Sequence, residues 1–142
     1  MSNRIEELRA IRREMDALAE KERVLSQPIV DNLGVIHNLY DVFRMTISRV
    51  SDNPDPTDTD NRKKFVYAIL YICSPATLAG KTVRHRLREN VAEVTGCTIT
   101  RVSRDYKMAL FFYDTYSVFR EQTNAIIMDM LDALNKKEEE GV

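Results

Sequence analysis

FVYAILYIC, Phe65 to Cys73, is the most hydrophobic run in the chain, and its reading decides the fold. Nine consecutive aromatic and aliphatic residues suit a buried strand as well as a buried helix, and periodicity alone does not separate the two. The neighbouring sequence does. Were the run a strand, SPATLAGKT (Ser74 to Thr82) would follow it as a phosphate-binding loop, and ALFFYD, ending at Asp114, would mimic a magnesium-binding strand end. Such a loop needs a glycine at its first position so that the backbone can wrap the phosphates. Pro75 stands there and has no N–H to offer. The upstream chain also supplies long helical patterns where parallel strands would be required. The expectation is an all-α chain of five or six helices, packed around a central helix from about Arg62 to Cys73 that is buried on most of its circumference. Ser74 and Pro75 stop that helix, and Thr77 to Gly80 make a compact corner.

Working outward towards the N-terminus, residues 3–25 carry a heptad seam. Leu8, Met15 and Glu22 fall at a positions and Ile11, Leu18 and Leu25 at d, with Glu14 and Lys21 at g and Arg12 at e. A lone helix of this length is marginal in water, so it needs a partner: either copies of itself in a parallel dimer or higher oligomer, or the chain's own domain if it folds back. Ser26, Gln27 and Pro28 break it, and Pro28 suits the first turn of a following helix. That next helix is expected from Ile29 to about Val50, with Val35, Leu39, Val42, Phe43 and Ile47 on one side and Gly34 weakening its start. His37 lies near the stripe with nothing nearby to complete a catalytic pair. SDNPDPTDTD, Ser51 to Asp60, is an exposed connector because its prolines prevent a continuous helix. Its acidic spacing lacks the glycine and distal glutamate of a calcium loop, and Asp60 is placed to cap the central helix.

The 142 residues suit one domain with an appendage. The expected division is a coiled-coil-like helix over 1–27, a helical domain over 28–136 and a frayed tail over 137–142. An apolar fraction of 44 % beside 30 % charge is ordinary for a soluble globular protein. No apolar run reaches membrane-spanning length and the N-terminus has no apolar signal core, so a cytoplasmic protein without a membrane partner is expected. Cys73 and Cys97 are expected as reduced thiols. With His37 and His85 the only histidines and no Cys or His cluster at ligand spacing, neither a metal nor another cofactor is expected. No paired carboxylates or nucleophile with a base stand out, so the expectation is a binding protein and not an enzyme.

LRENVAEVTGCTITRVSRDY, Leu87 to Tyr106, reads as two short helices joined at Gly96. Leu87, Val91 and Val94 line one face of the first, with Ala92 as a small residue beside them. Gly96 ends it in a left-handed conformation without a steric penalty. Thr98 caps the second, whose inward residues would be Ile99, Val102 and Tyr106. This pattern resembles the helix-turn-helix of bacterial and phage DNA-binding proteins. Ala92 precedes the turn glycine by four positions, Cys97 follows it, and GCTITRVSR is similar to the GVSxxTVSR form of repressors. Two positions depart from the pattern: Thr95 where leucine is usual, and Asp105 where a hydrophobic residue normally locks the second helix to the core. The resemblance implies that Thr98, Thr100, Arg101, Ser103, Arg104 and Lys107 face double-stranded DNA, the second helix lying in the major groove. It further implies that Lys81, Arg84, Arg86 and Arg88, on or ahead of the first helix, contact phosphates and set orientation.

Charge points the same way. From Asn61 to Lys107 there are ten Lys or Arg against three acids, a net +7 inside a chain whose total is −1. A basic middle with acidic flanks is attracted to phosphate through counterion release. The order of an aromatic–aliphatic helix, SPATLAG, LREN and FFYDTYSVFR is also similar to small proteins of phages and integrated mobile elements. After Lys107 the helix is expected to run on with a break near Asp114, its aromatic residues serving as core or subunit interface. The expectation is thus an oligomeric DNA-binding regulator, the rival being a phage or mobile-element assembly or packaging protein in which the helices mediate oligomerisation.

Overall fold

The computed structural model describes residues 2–140, all of whose regular structure is helical: α1 (Ser2–Leu25), α2 (Val35–Val50), α3 (Thr59–Cys73), α4 (Pro75–Leu78), α5 (Leu87–Thr95), α6 (Ile99–Thr115) and α7 (Ser117–Glu140). The decisive run is a helix. From Asn61 to Cys73 every α3 residue except Tyr71 is buried, because α2, α5, α6 and α7 all pack against it. Phe65, Val66, Ile69, Leu70 and Ile72 are fully buried there, and burying a side chain of this size stabilises the fold by ~1.5–3 kcal/mol. Ile36, Leu39, Phe43 and Ile47 of α2 meet Ile126, Ile127 and Met130 of α7 in the same core. Thr46 Oγ1 and Arg49 Nη2 each donate to Asp129 Oδ2 at 2.7 Å, tying α2 to α7 at its polar margin.

The helix boundaries follow local chemistry. Asp58, two residues before the expected cap Asp60, ends the connector: its carboxylate accepts from the backbone N–H groups of Asp60 and Asn61, which puts Asp60 inside the first turn of α3. The connector uses its other polar side chains in the same way, Asn53 accepting from Asp55 N and Asp55 from Thr57 N. Helix α2 begins at Val35 and not at Ile29. Residues 29–34 are held instead by the C-terminal end of α3, where Ile29 N and Val30 N both donate to Ile72 O, a long-range contact that local propensity does not encode. Pro75 opens α4, a single turn, and Gly80 follows with φ +91°. The break after Asp114 falls at Tyr116. Helix α7 then continues to Glu140, through most of the charged segment expected as a tail; residues 141 and 142 lie outside the described residues.

Helix α1 is different in kind. Of its described side chains, every one except Ala10 is exposed, including Leu8, Ile11, Met15, Leu18 and Leu25 of the heptad seam. It does not fold back onto the helical core.

Candidate nucleic-acid interface

Helix α5 spans Leu87–Thr95 and turns Leu87 and Val91 inward. Its N-cap is Arg86, the only described residue other than glycine with positive φ, at +66°. L-residues avoid that region; here Asn90 supports it by donating both its backbone N–H and its side-chain amide to Arg86 O. At the other end Gly96 takes φ +72° and its N–H returns to Ala92 O at 2.9 Å. Thr98 sits in extended backbone and its Oγ1 accepts from Arg101 N at 3.1 Å, so α6 starts at Ile99. Two helices, a left-handed glycine and a threonine cap thus occupy the positions their residues dictate.

Val102, Asp105 and Ala109 form the buried face of α6. Thr98, Thr100, Arg101, Arg104 and Lys107 are all exposed, and the three cations recur every three residues along one side. Ile99, expected inward, is exposed instead, and Tyr106 is half-buried. What pins α6 is Asp105. Its carboxylate receives Arg62 Nε at 2.5 Å and Nη2 at 3.3 Å in a fork that joins α6 to the central helix, with both side chains nearly sealed from solvent, at 10 % and 2 % exposure. The ion pair raises the Arg62 pKa above its ordinary value, the hydrogen bond to Asp105 being the main cause. The departure at Asp105 is therefore a different lock, charged where the repressor pattern has an apolar residue. Its signal is in the sequence: a carboxylate on the stripe between Val102 and Ala109 requires a buried cation, although which cation answers it depends on tertiary structure.

The remaining candidates divide. Lys81 and Arg86 are exposed, Lys81 Nζ standing 3.7 Å from Glu22 Oε1 at the end of α1. Arg88 is half-buried, and its Nη1 donates to Ser103 Oγ at 3.0 Å, so these two residues hold α5 against α6. Arg84 is committed elsewhere. Its guanidinium donates to the carbonyls of Val30 (3.0 Å), Cys73 (3.2 Å) and Asp31, clamping the 29–34 segment to the end of α3. Arg62, Lys63 and Lys64 are buried, and so is Asp105, so the window's net charge overstates what reaches the surface by two. The exposed cations nearest the motif are Lys81, Arg86, Arg101, Arg104 and Lys107, with Glu89 and Glu93 exposed on α5. No family model, curated protein or solved structure matches the chain. Among the described residues no His, Cys, Asp or Glu group is arranged to hold a metal ion, and no helix is long and apolar enough to cross a membrane.

Proposed function

We propose that the chain binds double-stranded DNA through the exposed face of α6, as a parallel dimer joined by α1. The observation that carries this reading is the joint exposure of Thr100, Arg101, Arg104 and Lys107 on a helix whose opposite face is fixed to the core by Val102, Asp105 and Ala109. A rigid helix bearing three unburied cations matches the width and charge of the major groove. Arg101 and Arg104 are the candidates for base edges, where one bidentate arginine adds ~1–3 kcal/mol of discrimination. Arg86 and Lys107 serve phosphates, and Arg88 with Ser103 keeps the two helices in register.

The dimer rests on the exposed heptad seam of α1. A parallel pairing places Glu7 at g opposite Arg12 at e of the second copy, an attractive contact. Between Leu8 and Leu25 Glu22 is the one charged seam residue, Arg4 occupying the preceding d position, and Lys81 beside Glu22 offsets the two carboxylates that pairing would bring together. Fluorescence anisotropy of the protein with a labelled generic duplex, titrated at several salt concentrations, tests the reading. Binding that weakens steeply with salt is expected, and Arg101→Ala with Arg104→Ala should remove sequence preference without loss of fold. Folded protein that ignores DNA at low salt would overturn it.

A second reading, an assembly or packaging subunit, is favoured by one observation: Met108, Phe111, Tyr116 and Val118 are exposed near the end of α6 and the start of α7, an apolar grouping more typical of protein contacts than of a nucleic-acid surface. Folded protein that oligomerises without α1 and leaves DNA unbound is its expected signature.

A further inference from the structure

A cleft of about 420 Å³ opens between the start of α3 and the α6–α7 junction, lined by Asp60, Lys64, Phe112, Tyr116, Val118 and Phe119. Phe112 meets Tyr116 edge to face at 5.2 Å and Phe119 at 5.6 Å, so the aromatic walls stand nearly at right angles. Lys64 contributes to this lining although only 6 % of its surface reaches solvent. Among the described residues it has no carboxylate within ion-pair distance. A buried ammonium without a contacting carboxylate is costly, and burial lowers its pKa from the ordinary value of 10.5, against the opposing pull of the Asp60 and Asp58 charges.

The ammonium is nonetheless held firmly. Nζ donates to Asn61 Oδ1 at 3.0 Å and to Gln122 Oε1 at 2.5 Å. Both amides are oriented from behind: Asn61 Nδ2 donates to Asn53 O and Asp55 O, and Gln122 Nε2 donates to Val50 O. Two of the three ammonium protons are thereby used. The third has no hydrogen-bond acceptor among these contacts; the ammonium also stands over the Phe119 ring in a cation–π contact, 5.8 Å from its centre. Asp58 already accepts from the first N–H groups of α3, so the free donor is the lysine and not the helix terminus.

We infer that this cleft binds a small aromatic monocarboxylate, its ring among Phe112, Tyr116 and Phe119 and its carboxylate on the third donor of Lys64. Ring-on-ring contact supplies the apolar part of the affinity, and a charge-assisted hydrogen bond supplies orientation. Asp60 at the rim selects the charge. Its carboxylate is exposed and lies on the same cleft, so it repels a dianion such as a phosphate monoester more strongly than a monoanion. This site is separate from the DNA-facing residues and does not depend on that reading.

Protein-detected NMR titration with phenylacetate, phenylacetamide and phenyl phosphate tests the inference. Phenylacetate should give saturable shifts confined to Phe112, Tyr116, Phe119 and their neighbours at millimolar concentration, and the amide should bind about tenfold more weakly, as loss of one charge-assisted contact implies. Lys64→Met keeps the apolar stem, removes the ammonium, and should make acid and amide equal; the thermal midpoint should fall, because Asn61 Oδ1 and Gln122 Oε1 lose their donor. A parent protein that binds acid and amide alike, or does not respond to phenylacetate, overturns the site. So does a folded Lys64→Met variant that still prefers the acid. Tighter binding of phenyl phosphate than of phenylacetate overturns the carboxylate assignment.

Discussion

Asp105 and Arg62 show how much one residue decides. Removing one partner of a sealed ion pair leaves the other charged and desolvated, so Asp105→Ala should cost ~3–5 kcal/mol. Replacing both with apolar residues of similar volume, Arg62→Met with Asp105→Leu, should recover most of that loss. Chemical denaturation of the single and double variants checks the pair, and a double variant as unstable as the single one would contradict it. Cys73 offers a test of opposite character. Burial among apolar neighbours pushes its thiol up to about 11 from 9.0. A group whose folded pKa is raised in this way keeps its proton in the fold while the unfolded chain gives it up, so stability falls as pH rises from 9 towards 11. The stability difference between the parent and Cys73→Ala should shrink through that window. At pH 8 a thiol reagent should modify the partly exposed Cys97 in the native protein and reach Cys73 only on unfolding.

At the level of elements, the turn between α5 and α6 is the most directly testable. An added Cβ at Gly96 would meet no atom within 4 Å, so Gly96→Ala probes backbone conformation alone. At φ +72° the expected cost is ~1–2 kcal/mol, smaller for Gly96→Asn, as read from thermal midpoints. This is also where the sequence was most legible. Leu87, Gly96 and Thr98 placed α5, its end and the cap of α6 correctly, since each acts on its own backbone or its nearest turn. The hydrophobic run at Phe65 likewise declared the central helix once Pro75 had ruled out the alternative. Legibility stopped where a residue's environment is set by a distant segment. Lys63 and Lys64 counted as surface charge until α6 and α7 covered them, Arg84 as a phosphate contact until residues 29–34 came within its reach, and Ile99 as an inward residue although no helix covers it. The cleft at Lys64 was illegible for the same reason, being assembled from three helices.

For the whole molecule, the prediction is about state of association. A 24-residue helix spans ~36 Å, and α1 exposes its apolar seam along that length. Analytical ultracentrifugation should find a dimer for the intact chain and a folded monomer once residues 1–25 are removed. Leu8→Lys with Leu18→Lys should have the same effect. An intact chain that stays monomeric at high micromolar concentration would exclude α1 as the joining element. In the DNA reading, the dimer would also present two copies of α6 to half-sites ~34–36 Å apart or at multiples of that distance.

The clamp made by Arg84 then acquires a mechanical meaning. One guanidinium grips the chain just after α1, at Val30 and Asp31, and the end of the central helix at Cys73, while its own backbone leads within three residues into α5. In the proposed dimer it would be the rivet between the shaft that joins two copies and the head that each copy carries. Loosening it would leave each head intact but let the angle between shaft and head wander. A palindrome's tolerance for changes in the gap between its halves would therefore report on Arg84, where affinity for a single half would not.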